Sequence, residues 1–209
     1  MAHDVPPAIA ILPPPATPSA ADEANHRVAN QLQLLAALIS VEARSVTDPE
    51  GLAVLQRTQQ RIAAVGGVHR QLYRRGGVEI DLASYLDDLC DQLAGSCPEH
   101  RSIAFDAEAV LVSVSVATSI GNLATELVTN ACKHAYAADE RGSILVVLKR
   151  TFDDALHLVV EDHGRGLHAC TSGTGFGSRL IDATVAKLRG SAVVEDARPG
   201  KRFRMTFRP

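Results

Sequence analysis

ELVTNACKH, residues 126–134, is the stretch of the sequence that constrains the fold most. Glu126 and Asn130 are four residues apart, and Lys133 and His134 follow Asn130 by three and four, so one helical face collects all four side chains. The stretch alone leaves two interpretations open. It is either a solvated helical face or a site in which the oxygen of Asn130 binds Mg²⁺ and the two basic side chains meet phosphate.

Two glycine-rich segments follow this stretch. DHGRG (162–166) comes directly after an apolar run, and an acidic side chain beside glycines can accept a hydrogen bond from an adenine amino group. GTGFG (173–177) precedes a predicted helix, whose exposed N–H groups can meet a polyphosphate. Together the segments supply the candidate nucleotide-binding residues Asp162, Gly164, Gly166, Gly173, Thr174, Gly175, Phe176, Gly177 and Arg179. Each segment alone is a weak signal, and an ordinary turn explains either one. A Rossmann site is excluded because too little chain follows for another βαβ unit.

A further candidate lies about a hundred residues earlier, at His26. It falls two positions before Val28, the first residue of an apolar stripe, so its imidazole is predicted to face solvent. A largely neutral, exposed imidazole is a potential nucleophile at pH 7. By itself, however, an exposed helical histidine is usually without chemical function.

The chain divides into three predicted regions. Residues 1–20 carry six prolines and are expected to form a disordered tail. Residues 21–76 contain two amphipathic helices, over 22–44 and from the Asp48-Pro49 start to Tyr73. A helical hairpin cannot hide two apolar stripes alone, so we expect it to dimerise into a four-helix bundle. Gly76-Gly77 marks the boundary with the third region, 77–209.

The third region is predicted to be an α/β sandwich. Helices are expected over 81–93, 117–134 and 178–188, and strands over 102–106, 144–149, 156–161, 193–195 and 202–207. Because hairpin-linked strands alternate with helices, the sheet should be mixed and mostly antiparallel. The fold class is therefore α+β, with an N-terminal helical hairpin.

Composition excludes several functions. With 21 basic and 24 acidic residues the formal net charge is −3, which argues against nucleic-acid binding. The four cysteines form no CxxC pair, so we expect reduced thiols in a cytoplasmic protein, with neither a metal site nor a disulfide framework. Apolar runs too short to cross a bilayer predict no membrane association.

Taken in order, HRxxN from His26, ExxxNAxKH from Glu126, DxGxG from Asp162 and GxGFG from Gly173 resemble the four boxes of two-component sensor histidine kinases. The catalytic domain of that family has the GHKL, or Bergerat, ATPase fold. HRVANQLQLL (26–35) and HRQLY (69–73) look like the HisKA_2 and HWE subfamilies, and the resemblance covers residues 22–207. Because the chain lacks tryptophan, the HWE signature is incomplete and HisKA_2 is favoured.

The resemblance implies a function and its residues. ATP and Mg²⁺ would bind the C-terminal domain, with Asn130 as the Mg²⁺ ligand, Asp162 reading adenine, the glycines shaping the nucleotide site, and Glu126, Lys133 and His134 lining it. His26 would accept the phosphate and pass it to an aspartate of a response-regulator receiver domain. It further implies a homodimer. No sensor domain is predicted before His26, so we expect any input to come from a partner, such as a separate sensor protein, from the N-terminal tail, or not at all. Only residues 167–172 separate the two glycine-rich segments, which predicts a short lid over the nucleotide.

Three other functions stay open at this point. The first is a histidine phosphotransfer protein whose ATPase-like domain no longer uses ATP. The second is a serine kinase of the same ATPase fold, which would not need the His26 hairpin, and the third is a non-catalytic dimer scaffold. The complete set of nucleotide motifs favours the kinase.

Overall fold

The computed structural model describes residues 20–75, 79–166 and 176–209. The predicted tail over 1–19 and the Gly76-Gly77 boundary lie outside these ranges. Helices α1 (Ala20–Ala43) and α2 (Pro49–Arg75) form the expected antiparallel hairpin. Asp48 begins α2 as predicted, because its Oδ2 accepts a hydrogen bond of 2.7 Å from the backbone N–H of Gly51.

The rest of the chain forms an α/β sandwich. Its elements are β1 (Glu79–Asp81), α3 (Leu82–Ala94), β2 (Arg101–Ala107), β3 (Leu111–Ser113), α4 (Val114–Asn130), a π-helical turn (Ala131–Ala135), β4 (Gly142–Arg150), β5 (Leu156–Asp162), α5 (Phe176–Lys187), β6 (Ser191–Asp196) and β7 (Lys201–Phe207). The predicted α+β class is confirmed. The sequence prediction omitted the three-residue strands β1 and β3, which pair antiparallel with each other.

The main sheet has the strand order β2-β4-β5-β7-β6. Only the β2–β4 pair is parallel and the other three pairs are antiparallel, so the mixed, mostly antiparallel sheet is also confirmed. Alternate residues of the central strands face the helices and are buried. These residues are Ile144, Val146, Leu148, Leu156, Leu158, Val160, Phe203, Met205 and Phe207.

The C-terminal half of α2 packs into the same core. Ala64, Val68 and Leu72 belong to one buried cluster with residues of α3, α4 and the sheet. The hydroxyl of Tyr85 in α3 donates a 3.0 Å hydrogen bond to the carbonyl oxygen of Ala64. A Cβ at Gly121 in α4 would lie 1.9 Å from that hydroxyl, so α4 requires glycine there. Helix α2 is therefore shared between the hairpin and the sandwich.

Candidate functional site

The C-terminal end of α4 carries Glu126 and Asn130, the first two residues of the predicted polar face. The helix starts at Ser113, whose hydroxyl accepts a 3.4 Å hydrogen bond from the Val116 N–H, and it ends at Asn130. A π-helical turn continues the chain and brings Lys133 and His134 to the surface. Single π turns occur often at functional sites because they redirect side chains within a helix. Thus Lys133 and His134 leave the regular α-helical face that the sequence predicted for all four residues.

Glu126 is buried and both of its oxygens have partners. Its side chain is 8% exposed, and Oε2 accepts a hydrogen bond of 2.7 Å from Nη2 of Arg61 in α2. The other oxygen, Oε1, accepts a 3.3 Å hydrogen bond from Nδ2 of Asn130. This second contact fixes the amide of Asn130, so its oxygen, Oδ1, is the atom left for a ligand.

Helix α2 contacts this end of α4 at two further positions. The hydroxyl of Thr129 donates to Oε1 of Gln60, and Nζ of Lys133 donates to Oε1 of Gln56, each at 3.3 Å. Together with Arg61, these glutamines form one face of α2. The two helices are far apart in sequence, and no motif signalled that α2 would cover the predicted nucleotide residues.

Asp162 ends β5 and is buried, with 4% exposure. Its Oδ1 accepts hydrogen bonds from the backbone N–H groups of Gly164, at 3.1 Å, and Lys201, at 3.3 Å. The second oxygen, Oδ2, is therefore the one left to accept from a ligand. The turn after Asp162 also uses a positive φ of 73° at Gly166, which suits glycine.

The DxGxG turn packs directly on the π-helical turn. A Cβ at Gly164 would lie 1.9 Å from the carbonyl oxygen of Ala135, so no other residue fits without a shift. The same carbonyl accepts a 2.8 Å hydrogen bond from the backbone N–H of Arg165. Two motifs about thirty residues apart in sequence are thereby brought into contact.

Tyr136 holds this junction together and was not among the residues predicted from the sequence. Its hydroxyl donates a 2.5 Å hydrogen bond to the carbonyl oxygen of Ser143 and accepts one of 2.9 Å from the backbone N–H of His163. The guanidinium of Arg101 lies 4.8 Å from the centre of its ring. The available signal was an aromatic residue two positions after His134, at the end of the helical pattern.

Arg202 and Glu161 form a bidentate ion pair on the strands beside Asp162. The guanidinium atoms Nε and Nη2 donate to the two carboxylate oxygens at 2.6 and 3.1 Å. These hydrogen bonds hold the pKa of Glu161 below its ordinary value. The pair thus keeps Glu161 ionised and fastens β7 to the end of β5 that carries Asp162.

His26 is exposed on α1, as predicted. Its Nδ1 lies 3.5 Å from Nδ2 of Asn30, one helical turn later. The preceding residue, Asn25, contacts α2 through a 3.2 Å hydrogen bond between its Oδ1 and Nδ1 of His69. Partial burial lowers the pKa of His69.

Asn25, beside His26, and Lys133 contact α2 at well-separated positions. Gln56 of α2 accepts a hydrogen bond from Lys133, whereas His69, further along the same helix, forms one with Asn25 of α1. The thirteen residues between Gln56 and His69 correspond to about 20 Å along the axis of α2. In this arrangement the structure does not bring the predicted phosphate acceptor and the predicted nucleotide residues together.

The third nucleotide segment is only partly described. Gly173, Thr174 and Gly175 lie outside the described residues, as does the whole of the predicted short lid, residues 167–172. Helix α5 begins at Phe176 and includes Gly177, two residues earlier than predicted, and Arg179 is exposed in its first turn. Among the described residues, no three His, Cys, Asp or Glu side chains gather as a metal site. None of the described helices has the length and apolar character to cross a membrane.

The expectation that the cysteines form no disulfide is wrong. Cys97, in the loop after α3, is bonded to Cys132 in the π-helical turn, and their Cα atoms are 5.9 Å apart. This separation lies within the normal range for a disulfide. The pairing had no sequence signal because it joins two segments 35 residues apart that meet only when α3 and α4 pack together.

Two family models match the chain. The model described as "Histidine kinase" (HisKA_2) matches residues 23–97, which contain His26, all of α2 and all of α1 except its first three residues. The model described as "Histidine kinase-, DNA gyrase B-, and HSP90-like ATPase" matches residues 115–209, which contain the assembled site.

Characterised relatives and a solved structure agree with these matches. Sensor histidine kinase PdtaS of Mycobacterium tuberculosis is 29% identical over 84% of the chain, and blue-light-activated histidine kinase 2 of Erythrobacter litoralis is 27% identical over 69%. The chain spans only 36% and 43% of their lengths. The structure of a histidine kinase domain from an Erythrobacter litoralis blue-light activated kinase superposes with a TM-score of 0.69. It covers 89% of this chain and 93% of its own at 20% identity, which supports the fold.

Proposed function

Because this chain belongs to the histidine kinases of the HisKA_2 type with a GHKL ATPase region, we propose that it uses ATP to phosphorylate His26. The phosphate then passes to an aspartate of a response-regulator receiver domain. One observation carries the proposal: the turn at Asp162–Gly166 packs against the π-helical turn that follows Asn130. Two nucleotide motifs thereby form a single site, while His26 stands exposed on another helix.

The residues of this site fit a nucleotide and its magnesium ion. Oδ2 of Asp162 is placed to accept from the adenine amino group, because Oδ1 is already occupied by two backbone donors. Oδ1 of Asn130 is the hard oxygen that would bind Mg²⁺, since the amide nitrogen is held by Glu126. Bound Mg²⁺ would supply charge neutralisation at the phosphate oxygens. Lys133, His134, Arg179 and the backbone of Gly173–Gly177 would add further positive charge and N–H donors.

His26 would be the nucleophile. Transfer moves the γ-phosphoryl group from ATP to an imidazole nitrogen, which must present a lone pair, and ADP is the leaving group. The neighbouring Asn30 amide can select the tautomer. Its Nδ2 faces Nδ1 of His26, which suits a lone pair on Nδ1, and turning the amide so that its oxygen accepts from Nδ1–H would leave the lone pair on Nε2. Glu126 is the candidate for a general base in the transfer, and its present partners are Arg61 and Asn130.

Transfer requires a rearrangement, because Asn25 and Lys133 contact α2 at positions about 20 Å apart along its axis. The hydrogen bonds from Thr129 to Gln60 and from Lys133 to Gln56 would have to be exchanged for contacts nearer His26. We interpret the described arrangement as a resting state in which α2 covers the end of α4. Domain closure of this kind is a common way of assembling a kinase site.

Partners follow from the same proposal. Leu34, Leu38 and Val41 form an exposed apolar stripe on α1, which would be buried in a homodimer through the helical hairpin. A receiver domain and a separate sensor protein are the further partners, and a cytoplasmic location is part of the proposal.

The experiment is incubation of the purified protein with γ-³²P-labelled ATP and Mg²⁺. We expect acid-labile label that is lost in His26→Ala and retained in His157→Ala, a matched histidine change on the sheet. Asp162→Ala should abolish both labelling and nucleotide binding, since the adenine contact is removed. Absence of label in the unchanged protein would overturn the kinase proposal, and label uptake from a phosphorylated receiver instead would support the phosphotransfer alternative.

A further inference from the structure

The Cys97–Cys132 disulfide lies beside the proposed nucleotide site. Cys132 is two residues beyond Asn130 and directly precedes Lys133. The bond therefore tethers the π-helical turn, which carries two predicted phosphate contacts, to the loop after α3. Any change in the bond would change the freedom of this turn.

A small cavity of about 40 Å³ connects the disulfide with the α2–α4 contact. Both cysteines line it, together with Gln60, Thr129 and Lys133. Reduction of such a bond proceeds by attack of an external thiolate on one sulfur, with the other cysteine as the leaving group. Cys97 is partly buried, whereas Cys132 is buried, so Cys97 is the more exposed member of the pair.

Cys90 provides an internal contrast. It is free and buried in α3, where burial, with the nearby carboxylates of Asp87 and Asp91, raises the pKa of its thiol to about 12. A thiol of this kind is unreactive at neutral pH because almost none of it is thiolate. The unreactive thiol of Cys90 therefore lies in the core, whereas the disulfide-bonded pair lies beside the proposed nucleotide site.

We propose that Cys97 and Cys132 form a redox modification site that sets the nucleotide affinity of this domain. The disulfide form holds the π-helical turn in the arrangement that binds nucleotide, and the dithiol form releases it. This inference rests on the nucleotide site proposed above. It adds an input that acts inside the catalytic region and needs no attached sensor domain.

The chemistry is ordinary thiol–disulfide exchange with a dithiol as the reductant. One reductant thiolate attacks Sγ of Cys97, forming a mixed disulfide and releasing the Cys132 thiolate, which takes up a proton. The second reductant thiolate attacks the mixed disulfide, completes the oxidised reductant and releases Cys97. Two electrons and two protons pass to the protein, and a low-molecular-weight disulfide such as oxidised glutathione reverses the reaction.

The test uses the full chain carrying Cys90→Ser and Cys170→Ser, so that the pair is the sole source of thiols. A fluorescent ATP analogue is titrated into this protein with and without dithiothreitol. We expect reduction to raise Kd roughly threefold to tenfold, because the freed turn must be ordered again on binding. Oxidised glutathione should restore the lower Kd. Cys97→Ser in the same background should keep the higher Kd under both conditions.

Equal Kd values for the oxidised and reduced forms would overturn the proposal. So would a redox effect that persists in the Cys97→Ser variant. Amide hydrogen exchange over residues 131–135 separates this failure from a failure of the nucleotide site. If neither form binds the analogue, both proposals fail. Faster hydrogen exchange on reduction would in that case show that the disulfide restrains the π-helical turn but has no effect on nucleotide binding.

Discussion

Helices α1 and α4 differ sharply in how much of their apolar surface the described chain covers. Helix α4 has 17 residues and buries twelve of them, polar as well as apolar. Helix α1 has 24 residues, yet its buried side chains in the described part are the alanines Ala29, Ala36 and Ala43. The leucines Leu34, Leu35 and Leu38 are about half exposed or more. The sandwich is therefore complete within one chain, whereas the hairpin retains an apolar face that a second surface can cover.

The largest effect is expected from a cavity in the core of the sandwich. Leu123 in α4 is fully buried, so Leu123→Ala should lower the free energy of unfolding by about 2–5 kcal/mol through lost burial and the remaining cavity. Urea denaturation followed by circular dichroism measures this. Leu111→Ala is the matched control, because Leu111 is 52% exposed and its loss should be below about 1 kcal/mol. Equal losses for both leucines would contradict the assigned core.

Elements with one apolar face could be predicted from the sequence. Strong periodicity gave α1, α2, α3 and the central strands within a few residues, because each has one apolar face. Residue order along the chain predicted the nucleotide motifs, and their joining at Ala135 and Gly164 agrees with that prediction. The assignment of chemical roles to these residues stays a prediction.

Contacts between distant segments could not be predicted in the same way. Arg61 reaches Glu126 across 65 positions, and Cys97 reaches Cys132 across 35, and neither pair has a spacing rule. Strands β1 and β3 are three residues long, too short for a detectable alternation. The π-helical turn that begins at Ala131 likewise has no spacing rule, and it packs against Gly164, about thirty residues later in the sequence.

The next-largest effect is expected at the contact between α2 of the hairpin and α4 of the sandwich. Arg61→Ala should lower the free energy of unfolding by about 1–3 kcal/mol, since it leaves the carboxylate of Glu126 buried without its cation. Arg57→Ala, one turn earlier on α2, is the control and should have a smaller effect. Adding Glu126→Gln to Arg61→Ala should recover part of the loss, because a neutral amide needs no counter-ion. No recovery in the double variant, measured by urea denaturation, would argue against the ion pair as the cause.

A smaller effect is expected on the uncovered face of α1. Leu38 is 52% exposed, so the part of it that a dimer would bury and that alanine lacks contributes about 0.5 kcal/mol per protomer. Because Leu38→Ala changes both protomers, the loss is about 1 kcal/mol and the dimer Kd should rise about fivefold. Sedimentation velocity over a concentration series measures this. Val193→Ala removes a similarly exposed apolar side chain on the edge strand β6 and should leave the dimer Kd unchanged. A monomer at all concentrations, or equal shifts for both variants, would remove the hairpin dimer from the proposal.

The smallest effect is a pH dependence at the α1–α2 contact. Burial lowers the pKa of His69 from its ordinary value near 6.5, so the folded chain binds this proton less tightly than the unfolded chain. Its contribution to stability is therefore present above pH 6.5 and is lost as the pH falls through the lowered pKa. His69→Gln keeps a polar group beside Asn25 but does not titrate. The difference in unfolding free energy between pH 7.5 and pH 5.5 should consequently be smaller in this variant, whereas the two proteins should respond alike between pH 7.5 and 8.5. An identical acid loss in both would show that the contact of α1 with α2 is insensitive to the protonation of His69.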